Sequence, residues 1–239
     1  MTQEQFQELK SEILRRAHEA YACKEEYGRA YKAETLQELL SVVKDNFDWA
    51  YDNGVIDIAL IEKYKQDFAD NQIYANQDVT GGYLLCDSAT VEACGSATVV
   101  AFDSAYIKAY GSVSVKACGS ASVGASDSAT VRAWGSASVV ACDSASVVAS
   151  DLATVKVCDS ATVVAWGSTS VKACGSATVR ACGSVSVEAY GSVSVEAWGS
   201  AYVNTYRIIE CKLFDNAIWR IRSTNEIRYA SENLKFTKL

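Results

Sequence analysis

Hydrophobic positions follow two different periods along this chain. Up to about residue 70 they recur at helical spacing, and from residue 86 they recur at every second position within a fixed eight-residue unit. In the first stretch, residues 3–22 place Phe6, Leu9, Ile13, Ala17 and Tyr21 on one face, and Thr2 with Gln5 forms a capping box at the start. A second helix is predicted from Leu36 to Tyr51. Thr35 and Glu38 open it, its stripe is Leu36, Leu39, Leu40, Val43 and Phe47, and Gly54 stops it. Asp57 caps a third, with Leu60, Ile61, Tyr64 and Phe68 on one side. These stripes make the core of a three-helix unit.

From Cys86 to Thr205 the chain is fifteen tandem octapeptides, beginning Cys-Asp-Ser-Ala-Thr-Val-Glu-Ala. Position two is always Asp or Gly, position three is Ser except at Leu152, position six is Val except at Ile107, and position eight is Ala except at Val157 and Thr205. Small apolar residues at positions four, six and eight, with polar ones between them, describe one strand per repeat with an inward face too close to its neighbour for large side chains. Asp or Gly at position two suits the turn, each Asp bonding locally, and Ser at position three can bond the turn backbone.

One octapeptide cannot close a coil, but two can. Every second position-one residue runs Cys86, Phe102, Cys118, Trp134, Ser150, Trp166, Cys182, Trp198, small alternating with bulky. That order is expected if coils of sixteen residues stack and each ring overhangs a small neighbour. The other column (Cys94, Tyr110, Ser126, Cys142, Cys158, Cys174, Tyr190, Tyr206) is less regular. Seven and a half such coils make a rod of roughly 36 Å at a ~4.8 Å rise. Both rod ends need covers against edge-to-edge pairing. The helices suit one end. Residues 206–239 suit the other, as short strands around Ile208–Leu213, Ile218–Ile221 and Ile227–Tyr229 followed by Leu234 and Phe236, with turns at Asp215-Asn216 and Thr224-Asn225.

The expected fold is thus α+β and multi-domain: a small N-terminal helical bundle (1–78), a two-sheet β-solenoid (β-helix) of octapeptide repeats (79–205) and a C-terminal β cap (206–239). The tandem motif resembles bacterial and phage-type β-solenoid repeat proteins, and its sixteen-residue double unit is similar to that of ice-nucleation proteins. It lacks the helper motifs of the latter, the six-residue period and catalytic histidine of hexapeptide acyltransferases, and the Gly-Gly-x-Gly-x-Asp pattern of calcium-binding nonapeptides. The resemblance covers about half the chain and carries no functional residue across.

Composition narrows the function. The net charge of −7 is concentrated in residues 1–85, with 16 acids and 9 bases, which opposes a grip on a phosphate backbone and suits a basic partner protein. There is no proline, as expected where backbone N–H groups are needed in ladders. The start, Met1-Thr-Gln-Glu-Gln-Phe, has neither a basic nor an apolar leader, and no apolar run is long enough to span a membrane, so a cytoplasmic protein with reduced thiols is expected. Its nine cysteines are read as small space-fillers. Cys142, Cys158 and Cys174 are close enough for disulfides but poorly aimed for them. The single histidine, His18, lacks a metal-ligating or nucleophilic companion, and the stacked Asp127, Asp143 and Asp159 are read as turn residues. No catalytic residue, cofactor or metal is therefore expected.

Phe102, Trp134, Trp166 and Trp198 are the candidate interaction stripe. The expected function is a non-catalytic interaction protein, a rigid scaffold with a protein partner, on analogy a phage or mobile-element inhibitor of a host protein. The alternatives are an ice-binding face of Ser/Thr at position five, interrupted by Tyr106 and Tyr202, and a self-assembling rod.

Overall fold

The structure is a computed structural model and describes residues 1–230. Six helices precede the strands: α1 (Gln3–Glu19), α2 (Lys24–Lys32), α3 (Leu36–Asp45), α4 (Phe47–Asp52), α5 (Ile58–Lys63) and α6 (Lys65–Asp70). Both expected capping boxes are present, Thr2 with Gln5 and Thr35 with Glu38. The three-helix reading needs correction. The second and third predicted helices are each broken once, at Asn46 (φ −122°, ψ 30°) and at Tyr64 (φ −119°, ψ 39°). Helix α2 was not foreseen because it has no apolar stripe: only Ala30 among its residues is buried. α1 stops before Tyr21, which takes φ 56° and is exposed rather than part of the core stripe.

The solenoid closes every sixteen residues. Strands occupy positions five to eight of each octapeptide, from β3 (Thr90–Ala93) and β4 (Thr98–Ala101) to β17 (Tyr202–Thr205), and alternate between two parallel sheets. Partners lie sixteen apart, as in Val147 with Val163 and Val163 with Val179. Each sheet has ten strands, so the rod is longer than the repeats alone. β1 (Ile73–Ala75) and β2 (Tyr83–Cys86) precede them, and β18 (Glu210–Leu213) and β19 (Ile218–Ile221) continue the two parallel ladders beyond them. β20 (Glu226–Tyr229) closes one sheet antiparallel to β19. Leu234 and Phe236 lie outside the described residues.

The interior is one column of Ala and Val, fully buried coil after coil, and the bulky members Leu84, Trp219 and Ile221 enter it near the ends. Thr205, one of the two exceptions to Ala at position eight, has a reason: the Trp219 indole N–H donates to its hydroxyl at 2.8 Å, and both residues are buried.

The corner aspartates do not bond within their own turn. Asp103, Asp127, Asp143, Asp151 and Asp159 adopt left-handed φ of 52–60°, where Asp is tolerated better than most residues. Four of these carboxylates, those of Asp127, Asp143, Asp151 and Asp159, reach across to the previous coil: Gly111 N–H donates to Asp127 at 2.9 Å and Gly135 N–H to Asp151 at 3.1 Å. Asp87 alone of the repeat aspartates accepts bonds within its own turn, from Ser88, and it also accepts from Asn76 Nδ2 at 2.9 Å. The position-three serines join coils through their backbone, with Ser112 N–H to the Gly95 carbonyl at 2.8 Å. Asp151→Ala removes an inter-coil bond and leaves an ordinary side chain at φ 60°, so it should cost about 1–2 kcal/mol. Asp151→Gly, which relieves the backbone, should cost less. Urea unfolding of the two variants checks that order.

The helices do more than cover a rod end. Leu85 and Val100 point outward from the first rungs of one sheet, yet both are fully buried in the helical core with Phe68 and Ile73. Phe47 packs on Tyr83 and Tyr51 stacks on Phe102, with centroids 4.9 and 4.8 Å apart. Lys116, one rung further, is ion-paired with Asp52. Burial at this seam pushes the Tyr51 hydroxyl up to about 12. The helical unit therefore lies along β2 and the first two repeat-bearing rungs of this sheet as well as over β1. Among the described residues no helix is long and apolar enough to cross a membrane.

Candidate interaction site

The sixteen-residue coil stacks the four aromatic residues singled out in the sequence in one column, and each meets different surroundings. Phe102 is held beneath Tyr51. Trp134 is half-buried with the Lys116 ammonium 5.4 Å from its ring centre. Trp198 is stacked on Phe214, the next residue of the column, at 5.0 Å and 7° between planes. Trp166 is 49% exposed. The helical unit thus engages the column at one end and the last coils engage it at the other, leaving Trp166 as its open ring.

A second feature lies wholly in the helical unit and was not visible in the sequence. α1, α2, α3 and α4 surround an apolar slot of about 200 Å³, lined by Ile13, Ala17, Tyr27, Ala30, Val43 and Trp49 and open to solvent on one side. The slot exists because alanines stand where the helices converge: Ala17, Ala22, Ala30 and Ala50 all line it. Small side chains hold the backbones together without filling the space between them. Its rim is charged. Glu26 accepts from Asn46 Nδ2 at 3.0 Å and pairs with Arg29, which also pairs with Asp45 at 2.7 Å. Asp48 and Glu25 are exposed nearby in sequence. Sequence periodicity missed the slot because its walls come from four helices, one of them unpredicted, and because an alanine on a helix reads as packing rather than as space.

The remaining candidate groups are placed as follows. His18 is exposed on α1, edge-on to Tyr27 at 6.3 Å. Burial pushes the Cys86 thiol up to about 11 and the Cys211 thiol to about 12, so both stay protonated and unreactive at neutral pH. The space-filler reading of the cysteine column is corrected at one place. Cys142 and Cys158 form a disulfide, with Cα atoms 4.8 Å apart. Adjacent rungs of a parallel ladder put two β-carbons side by side, which brings the two sulfurs within bonding reach. Cys174, one rung on, is a free, exposed thiol. Among the described residues, Cys142, Cys158 and Asp159 bring three metal-ligating atoms within 4.8 Å of one another.

Compared with known protein families, characterised proteins and solved structures, the chain matches none.

Proposed function

We propose that the protein is a non-catalytic interaction scaffold whose helical unit carries the contact surface and whose solenoid is the rigid rod that holds it. The observation that supports this reading best is the open apolar slot on the helical unit, which lies in the most acidic part of the chain. Surface slots of this kind take a single apolar anchor side chain, and an acidic surround favours a partner with basic residues beside that anchor. Trp166, on the exposed length of the rod, is a secondary contact. The biological setting we assign, by analogy with small acidic antagonists, is inhibition of a host protein by a phage or mobile element.

Capture of tagged protein from cells that naturally carry it, followed by mass spectrometry, tests this reading. The expected result is one host protein in near-equal amount with the wild type and its loss with Ala30→Phe, which fills the slot. Trp49→Ala, at the rim, serves as a second variant with an independent effect on the fold. Failure to capture a protein, or equal capture by all three forms, overturns the reading.

One observation favours a second reading, an ice-binding face. The tyrosines that interrupt position five, Tyr106 and Tyr202, both lie in one sheet. In the other sheet Thr98, Ser114, Thr130, Ser146, Thr162, Thr178 and Ser194 form an unbroken in-register column, and the Ser146 and Thr162 hydroxyls meet at 3.1 Å. Lys116, Arg132 and Arg180 at position seven stand beside that column. Freezing hysteresis of the purified protein supports this second reading if present, and its absence removes it.

A further inference from the structure

We propose that the solenoid corner bearing Cys142 and Cys158 is a binding site for a thiophilic divalent cation of the zinc class, held by the two thiolates and the Asp159 carboxylate. The sixteen-residue coil makes two neighbouring columns at this corner. One runs Ser126, Cys142, Cys158, Cys174, and the other runs Asp127, Asp143, Asp159, Gly175. Three consecutive thiols and three consecutive carboxylates therefore overlap on two adjacent rungs. The opposite corner never has cysteine on two successive rungs.

Geometry suits the ion. Tetrahedral zinc with Zn–S near ~2.3 Å needs sulfurs about 3.8 Å apart. The two cysteines stand 4.8 Å apart at Cα with side chains able to converge until the sulfurs bond, so the required separation lies within their reach. The Asp159 carboxylate already falls in the same cluster. Three protein ligands leave a fourth position for water.

Charge suits it too. Asp127, Asp143 and Asp159 stack as like charges, which disfavours them unless something neutralises the column. Their carboxylates accept backbone N–H bonds that lengthen along the column: 2.9 Å to Asp127, 3.3 Å to Asp143 and 3.5 Å to Asp159. Among the described residues no Lys or Arg forms an ion pair with any of them. Asp159 thus has the weakest internal bond and the most freedom to take a metal. Thiolate ligands direct the choice away from calcium or magnesium and toward zinc. Binding replaces two thiol protons by one M²⁺ and releases both protons to solvent, so it strengthens as pH rises. The disulfide and the metal are mutually exclusive states of the same pair.

The full-length protein, reduced and metal-free, is titrated with Zn²⁺ alone against a chromophoric chelator, and with Co²⁺ for its thiolate charge-transfer band. One equivalent should bind. Cys142→Ser and Cys158→Ser should each weaken binding by more than the ~10–100-fold typical of an outer-shell change, and Asp159→Asn should weaken it less. These serines keep the fold, since Ser126 and Ser150 already occupy position one. Cys94→Ser should bind as the wild type does, and bound Zn²⁺ should slow air oxidation of the Cys142–Cys158 pair. No binding by the reduced protein, equal binding by all variants, or oxidation unaffected by Zn²⁺ overturns the proposal.

Discussion

Val100→Lys should destabilise the protein by about 3–5 kcal/mol, the cost of an uncompensated buried charge, while Val140→Lys should stay within about 0.5 kcal/mol of the wild type. Both residues occupy position seven of an octapeptide, where other repeats carry Lys, Arg or Glu. By sequence the two changes are equivalent and conservative. The structure separates them: Val140 is 45% exposed, whereas Val100 is 0% exposed in the helical core beside Leu85. A lysine at position 100 also lands in register with Lys116, whose ammonium already uses Asp52. Like charges on adjacent rungs do not separate the two changes, because position 140 is itself in register with Lys156, so burial decides. Urea melts of the two variants give the comparison. Equal midpoints would show that the helices do not lie along this sheet.

Trp219→Ala should cost about 3–5 kcal/mol as a large-to-small change in a closed interior. Trp219 sits in register with Val203, so its indole fills the inner side of the penultimate rung, and Arg228 lies 4.9 Å above its ring. Removing the indole also strands the Thr205 hydroxyl, which is fully buried, at a further cost of about 1–3 kcal/mol. The double change Trp219→Ala with Thr205→Ala should recover that second part, because Ala is what the repeat otherwise places at position eight. If the double variant is no more stable than the single one, the indole–hydroxyl bond is not what holds the last coil.

These two positions show where sequence reasoning reached and where it stopped. Period-two alternation and the small–bulky order of the position-one column were sufficient for the coil length, because in-register stacking makes a column in space out of every sixteenth residue. Capping chemistry placed the starts of α1 and α3 for the same reason: the signal is local. What was not legible depended on contacts between distant segments. Val100 and Phe102 look like any other outward residues until helices fold over them. The corner aspartates carry turn propensity in their identity, but their bonds go to the previous coil, sixteen residues away. The slot is hardest of all to foresee, since alanines on three separate helices and the loop between α1 and α2 define it by what they leave unfilled.

The proposed division of labour, contact on the helices and rigidity in the rod, is tested most directly by hydrogen–deuterium exchange. The wild-type protein is measured alone and saturated with the captured partner. Protection should appear in residues 22–55, which border the slot, with at most a local change at Trp166 and none in the solenoid interior, whose amides are already bonded coil to coil. New protection spread along a sheet face, with residues 22–55 unchanged, would contradict this account and place the binding surface on the rod.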